Sequence, residues 1–384
     1  MTLEFLDGNK LQLLTNGRGY FPVLQQAVDD AQREIFVETY IFADDDSGRR
    51  IAAALVRAAA RGVRVHVLVD GFGSKGIFEQ TRQLLAAGNI EVLIFGPKTS
   101  PLTLRRNRLR RLHRKLVVVD ARVAFIGGIN IIDDMHTPRQ TPPRYDYAVR
   151  VEGPLVASIL EESVRLWRRV AWASLKRPTQ HHALVDAVLK GTQRAVLVVR
   201  DNFRHRSDIE DAYLEAILAA RREVIIANAY FFPGTRFRQA LRAAARRGVR
   251  VVLLLQGRIE YALLHYASRA LYGSLLDAGV EIYEYHKSFL HAKVAVIDRH
   301  WATVGSSNID PFSLMLAREA NIVVDDRHFT HDLRRSLLDH MRSGAKVVAR
   351  RTWRRQPLWR RALIWGAYGC TRLLMGVAGY GGKH

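Results

Sequence analysis

His113-Arg114-Lys115, followed by Asp120, Gly127-Gly128 and Asn130, governs the reading of this chain because the pattern occurs twice. The second copy is His291-Ala292-Lys293, followed by Asp298, Gly305-Ser306 and Asn308. Both read H-x-K-x4-D-x6-G-[GS]-x-N with no change of spacing. Five fixed positions, each filled at roughly one in twenty, put one chance copy in the chain at ~10⁻⁴ and two at ~10⁻⁸. Residues 116–119 and 294–297 are β-formers, so each copy is predicted to open a strand. Side chains at i and i+2 share a strand face, which sets His113 beside Lys115 and His291 beside Lys293.

Working outward, the neighbouring segments repeat in the same order. Arg33-Glu34-Ile35-Phe36-Val37-Glu38-Thr39-Tyr40-Ile41-Phe42 returns as Arg222-Glu223-Val224-Ile225-Ile226-Ala227-Asn228-Ala229-Tyr230-Phe231, each a buried-strand pattern. Arg61-Gly62-Val63-Arg64-Val65 returns as Arg247-Gly248-Val249-Arg250-Val251, where an Ala/Arg-rich helix stops at Gly and a β-branched strand begins. Ala87-Gly88-Asn89-Ile90-Glu91-Val92 matches Ala278-Gly279-Val280-Glu281-Ile282-Tyr283. Alternating strands and helices predict an α/β chain with a largely parallel or mixed sheet in each half. The preserved order predicts a duplication: a first half over 1–178, a second over 179–345, a junction at Arg177-Pro178-Thr179-Gln180, and a tail over 346–384. Glu38 and Asn228 read as equivalent positions, facing substrate polar groups or satisfying buried backbone.

The 384 residues are 48% hydrophobic and 25% charged, enough for a buried core and against wholesale disorder. Fifty-nine basic against 37 acidic residues leave a net charge of +22, which points to a polyanionic partner, a nucleic acid or an anionic membrane surface. One cysteine, Cys370, excludes a disulfide framework and a multi-cysteine metal site and fits a reducing, intracellular setting. Residues 1–10 carry Glu4 and Asp7 and are expected to be neither a secretory signal nor an N-terminal anchor.

The paired motif resembles the HKD motifs of the phospholipase D superfamily, which cleaves or transfers phosphodiesters through a phosphohistidine. Glu38-Thr39-Tyr40-Ile41-Phe42, Val69-Asp70-Gly71-Phe72-Gly73-Ser74, Leu112-His113-Arg114-Lys115, Phe125-Ile126-Gly127-Gly128-Ile129-Asn130 and Asp146-Tyr147-Ala148-Val149-Arg150 resemble the B-type bacterial cardiolipin synthases. The resemblance covers most of residues 10–345. It implies two phospholipase D-like α/β/α sandwich halves meeting at a pseudo-two-fold interface around one active site. Its motif residues are His113, Lys115, Asp120, His291, Lys293 and Asp298. It also implies His113 as nucleophile and His291 as acid/base, an order that the residues alone leave open.

The residue types suit that chemistry. Two histidines and two lysines meeting across a two-fold would grip one phosphate. Lys115, Lys293 and the amides of Asn130 and Asn308 would bind its non-bridging oxygens, with no cofactor and no metal ion called for. An imidazole with an ordinary pKa of about 6.5 supplies both the neutral and the protonated form near neutrality. Asp120 and Asp298 stand seven residues from their histidines, an odd separation that places them on the opposite strand face, in turn or hydrogen-bonding roles. Asp146 and Glu319 are the better candidates to orient the imidazoles.

Residues 102–114 hold Arg105, Arg106, Arg108, Arg110, Arg111 and Arg114 with no acid, and lead into His113 as a phosphate-facing entrance. Residues 346–384 contain no Asp or Glu and combine arginines with Trp353, Trp359 and Trp365, a composition suited to the headgroup layer of an anionic leaflet. Residues 362–380 approach spanning length but include Arg372 and four glycines, so shallow insertion is expected rather than a span. The leading expectation is a phosphatidyltransferase, peripheral on the cytoplasmic face of a bacterial inner membrane. It would make cardiolipin from phosphatidylglycerol with release of glycerol. The alternatives are a phospholipase D-type hydrolase, a metal-independent nuclease of the same superfamily and, last, a non-catalytic polyanion-binding module. The tail and the B-type strings weigh against nucleic acid as partner, and oligomeric state is not legible.

Overall fold

The computed structural model describes residues 3–76, 78–96, 110–137, 140–176, 188–201, 204–310 and 317–377. The first half runs β1 (Leu6–Thr15), α1 (Asn16–Asp29), β2 (Glu34–Thr39), α2 (Asp46–Ala60), β3 (Arg64–Asp70), α3 (Glu79–Ala87), β4 (Glu91–Phe95), β5 (Arg111–Leu112), β6 (Lys115–Val119), β7 (Val123–Gly127), β8 (Arg144–Tyr145), β9 (Tyr147–Glu152) and α4 (Leu155–Ala173). The second runs β10 (Gln193–Arg200), α5 (Asp208–Ala219), β11 (Glu223–Asn228), α6 (Thr235–Arg246), β12 (Arg250–Gln256), α7 (Ala262–Arg269), α8 (Tyr272–Asp277), β13 (Glu281–Tyr285), β14 (Phe289–Leu290), β15 (Lys293–Ile297), β16 (Trp301–Gly305), β17 (Ala317–Asp325) and α9 (Arg327–Gly344). β18 (Ala345–Val347), α10 (Arg350–Arg354) and α11 (Leu358–Val377) follow.

Strand order across the sheet is β4-β3-β2-β6-β7-β9-β1, then β10-β17-β16-β15-β11-β12-β13-β18. The second series reverses the first, and β1 meets β10 antiparallel at Leu6↔Ala195, so the halves are related by an approximate two-fold at that joint. β2, β3 and β4 are parallel, as are β11, β12 and β13. The antiparallel β6, β7, β9 and β1 complete the first half, and the sheet is therefore mixed.

Alternation along the strands divides the core. Ile35 and Val37 of β2 pack outward with Leu24 of α1 and Leu55 of α2, whereas Phe36 packs inward. The inner layer is shared: Leu116 and Trp167 of the first half lie in one cluster with Val294 and Leu333 of the second. That common layer is what fixes the two motifs in one frame.

Helix ends are set where the sequence marks them. Asp45 caps α2 by accepting from the Gly48 amide at 2.9 Å. Gly62 (φ +89°) and Gly248 (φ +87°) take the left-handed turn that sends each chain from helix into strand. Lys346 and Val347, expected to begin the tail, join Ala345 in a strand added to β13 through Tyr285↔Ala345 and Tyr283↔Val347. Beyond it, Ile364 and Met375 are buried, and Trp353 lies 5.1 Å from the Tyr272 ring. Arg350 and Arg354 bond Asp277 at 2.6 and 2.8 Å. The tail thus finds on α8 the acid that it lacks. The expected junction at 177–180, residues 102–109 of the basic arm and residues 378–384 lie outside the described residues.

Candidate active site between the halves

Two short strand pairs assemble the site. β5, just before His113, pairs in parallel with the start of β17, Arg111↔Ala317 and Leu112↔Arg318. Its counterpart β14, just before His291, pairs with β8, Phe289↔Arg144 and Leu290↔Tyr145. The ladders run on into the motifs: the His113 amide donates to the Arg318 carbonyl at 3.0 Å, and the His291 amide to the Tyr145 carbonyl at 2.8 Å. Each histidine is thereby laid beside the residue that follows in the opposite half, and those residues are Glu319 and Asp146. His113 Nδ1 lies 2.9 and 3.0 Å from the Glu319 carboxylate oxygens, and His291 Nδ1 lies 2.5 Å from Asp146 Oδ2. The acids are crossed: each half's acid serves the other half's imidazole. With Nδ1–H given to a carboxylate, Nε2 keeps a lone pair for chemistry.

Both lysines are buried at the same place, at 4% and 0% exposure for Lys115 and Lys293. Lys115 Nζ donates to the His113 carbonyl and sits 5.4 Å over the Tyr40 ring. Lys293 Nζ donates to the His291 carbonyl and lies 3.7 Å from Asp146 Oδ2. Asn130 is buried and accepts from the Ile41 amide at 3.1 Å, which ties its loop to the end of β2; Asn308 is buried at the matching bend after β16. Three contributors carry no role in the sequence reading although they lie within or beside the resembling strings. Tyr40 packs edge-on to His113 at 5.0 Å. Asp70 accepts from the Leu112 amide at 2.7 Å and so holds β5. Ser306 donates to Glu319 Oε2 at 2.5 Å.

Asp120 and Asp298, expected with the catalytic set, stand apart from this cluster. Each sits at the far end of a five-residue strand from its lysine, ~16 Å along the backbone. Asp120-Ala121 and Asp298-Arg299 are the central residues of tight turns, all with positive φ. The Asp120 carboxylate accepts from the Gln32, Arg33 and Glu34 amides at 2.8, 2.8 and 2.9 Å, and Asp298 does the same for Arg221, Arg222 and Glu223. These aspartates staple the entry to β2 and β11 onto the hairpin, as the odd spacing anticipated.

Two further expectations change. Strand register pairs Glu38 with Leu116 and Ala227 with Val294, so Glu38 corresponds to Ala227, and Asn228 corresponds to Thr39. Glu38 holds Arg114 through two hydrogen bonds of 2.5 and 3.0 Å, both residues buried. Ala292 takes the motif position of Arg114 and Ala227 the strand position of Glu38, so one half has a salt bridge where the other has two alanines. Arg114 is therefore a core residue rather than part of an entrance, and Arg111 stacks over Phe72 at 4.7 Å. Asn228 accepts from the Ile309 amide at 3.2 Å, a backbone role.

Burial dominates the electrostatics. It lowers the His113 imidazole below its ordinary pKa, with Glu319 pulling back upward and Lys115 downward. His291 is driven well below, by burial first and then by Lys293, Arg144 and Lys115. Burial also brings Lys115 down to about 7 and Lys293 to about 8, and raises the Asp146 carboxyl against the opposing pull of Lys293. Such a cluster is short of negative charge and suited to an anion that would recharge its imidazoles. Among the described residues, no group of three or more His, Cys, Asp or Glu side chains is placed to hold a metal ion.

Comparison with known proteins agrees with this geometry. Residues 24–166 and 213–341 match the family described as cardiolipin synthase, PLD-like domain. The chain is 43% identical over 368 residues to cardiolipin synthase B of Escherichia coli (strain K12), covering 92% of this chain and 86% of that one. It is 30% identical over 370 residues to the major cardiolipin synthase of Bacillus subtilis (strain 168), covering 92% of this chain and 73% of that one. Among solved structures, the phosphatidylserine synthase of Haemophilus influenzae superposes with a TM-score of 0.71 at 14% identity, over 98% of this chain and 97% of that one, a likeness of fold.

Proposed function

The chain belongs to the cardiolipin synthase family with its phospholipase D-like fold, and we propose that it transfers a phosphatidyl group from one phosphatidylglycerol to another through a covalent phosphohistidine. The observation that carries the reading is the crossed arrangement: two imidazoles, each fixed by a buried acid of the opposite half, with two buried lysines between them. In the first step His113 Nε2 attacks phosphorus, the P–O bond to glycerol breaks, and His291 gives its proton to the departing alkoxide. In the second, a hydroxyl of the acceptor lipid gives its proton to His291 as its oxygen forms the new P–O bond and the P–N bond breaks. Lys115 and Lys293 meet the charge that grows on the non-bridging oxygens. Entry of the anionic phosphodiester favours protonation of His291, which in the empty site is held neutral.

Access to lipid comes from α11. Leu358, Trp359, Leu363, Trp365, Leu373 and Leu374 are exposed, while Ile364 and Met375 on the other side enter the core. Arg355, Arg360 and Arg361 flank this apolar face, each worth ~1 kcal/mol near an anionic surface before screening. Among the described residues, no helix is long and apolar enough to cross a membrane. The exposed apolar face of α11 supports peripheral, shallow insertion. The test is labelled phosphatidylglycerol in vesicles followed by lipid separation. Cardiolipin with an equal amount of free glycerol is expected; phosphatidic acid alone would make the protein a hydrolase.

A further inference from the structure

The two halves differ at one corner of the cleft, and the difference carries a ligand site. In the first half β3 ends on Asp70, whose carboxylate accepts from Phe72 and Gly73 at 2.9 Å each, and the corner is plugged by Ser74. The Ser74 hydroxyl donates to the Tyr40 carbonyl at 3.1 Å and accepts from the Phe42 amide at 3.2 Å. In the second half β12 ends on Gln256, Glu260 takes the place of Ser74, and Tyr230 the place of Ile41.

That exchange leaves the second corner unfilled. A shallow recess of about 30 Å³, room for about two waters and open to solvent, is lined by Tyr230, Gln256, Arg258, Glu260, Tyr261 and His265. The Tyr230 hydroxyl donates to Glu260 Oε2, and Glu260 is exposed at the rim. Gln256 is 7% exposed, and its Nε2 has no hydrogen-bond acceptor among the described residues. A buried amide without an acceptor costs ~1–3 kcal/mol unless something supplies one. The recess borders the reacting groups. Ala229, in its lining, gives its amide to the carbonyl of Ala292, the residue between His291 and Lys293, at 3.0 Å. Gln140 Nε2 bonds the Ile259 carbonyl at 2.9 Å and ties this loop to the first half.

We propose that the recess is the subsite for the glycerol head of the lipid alcohol, resting on the phosphatidyl-transfer reading above. A phosphatidyl-enzyme on His113 is formed and resolved through the same apical position, on the side of the second motif, against which this recess packs through Ala229. The leaving glycerol and the entering glycerol head therefore use one subsite in turn. The hydroxyl next to the reacting one donates to Glu260 and accepts from Gln256 Nε2, an exchange that a simple monohydric alcohol lacks. A site built to bond a hydroxyl discriminates against the analogue without it more strongly than an apolar pocket does.

The test is acceptor partition. Phosphatidylglycerol vesicles are incubated with labelled glycerol and labelled 1-propanol at equal concentration, and the two phosphatidyl products are measured from one phosphatidyl-enzyme. Glu260→Leu is expected to lower the glycerol-to-propanol ratio about tenfold, and Gln256→Leu to lower it in the same direction. Tyr230→Phe, which leaves Glu260 in place, is expected to shift it less. A ratio unchanged in both Glu260→Leu and Gln256→Leu overturns the subsite while leaving the transferase intact. Wild-type protein that forms cardiolipin but transfers to neither alcohol also overturns the subsite, whereas wild-type protein that forms no cardiolipin overturns the transferase reading, and the subsite with it.

Discussion

Replacing Glu319 with Gln keeps the side chain's shape and removes one buried charge, in the half opposite to the histidine that it serves. The carboxylate is 0% exposed, with its oxygens 2.9 and 3.0 Å from His113 Nδ1. As His113 attacks phosphorus its ring becomes cationic, and two charges ~4 Å apart at an effective dielectric near 20 interact by ~4 kcal/mol. At about 1.4 kcal/mol per tenfold in rate, that is roughly a thousandfold in turnover. An amide that donates to Nδ1 also favours the tautomer with Nε2–H, which has no lone pair for phosphorus, and this moves the loss toward ~10⁴. The sign on titration is fixed as well: Glu319 opposes the effect of burial, so its neutralisation lowers the His113 pKa further. Cardiolipin formation per folded protein gives the rate, and the histidine ring resonances followed against pH give the titration. Glu319→Gln within threefold of wild type refutes the reasoning. A variant that shifts His291 instead of His113 refutes the crossing, and Asp146→Asn supplies the reciprocal case.

Arg114→Ala leaves Glu38 buried without its guanidinium and is expected to cost ~3–5 kcal/mol in urea unfolding, most of which Glu38→Ala then recovers by recreating the Ala227–Ala292 arrangement; additive losses would contradict this. Asp120→Ala removes three charge-assisted bonds to backbone amides, so the urea midpoint falls while turnover per folded molecule stays within a few-fold, and a loss matching that of His113→Ala would return Asp120 to the chemistry. Lys115 and Lys293, held at about 7 and about 8, bind fewer protons folded than unfolded up to the ordinary lysine range. Their contribution to thermal stability therefore rises from about pH 7 toward 10 while activity falls as the ammonium groups are lost; parallel trends would contradict the assignment. Replacing Trp359, Leu373 and Leu374 together with Ser is expected to weaken partition onto anionic vesicles at least tenfold without unfolding, and unchanged sedimentation with vesicles would place the membrane face elsewhere.

The duplication and the reactive pairs are legible because they repeat at fixed spacing and because His and Lys two apart share a strand face. The glycine stops are legible too. At the α3 end, the left-handed position falls on Asn89 in one half and Gly279 in the other, both residue types that tolerate it. The crossing of the acids is not legible. It spans 206 residues for His113–Glu319 and 145 for His291–Asp146, and it is set by two-residue strands too short to show any periodicity. The Glu38–Asn228 equivalence matches two polar residues that stand one place apart in the repeated runs, which themselves set Glu38 against Ala227, and the strand register follows the runs. Tail packing is partly legible: Ile364 and Met375 are eleven residues apart, about three helical turns, but more numerous exposed Trp and Leu obscure that stripe.

The most direct test of the two-half site is a trapping experiment with phosphatidylglycerol vesicles, a rapid alkaline quench that preserves the acid-labile phosphoramidate, and peptide mass analysis. A phosphatidyl adduct on the peptide bearing His113, formed at the rate of cardiolipin synthesis and lost in His113→Ala, is the predicted result. Cardiolipin accumulating with no adduct on either histidine would contradict it.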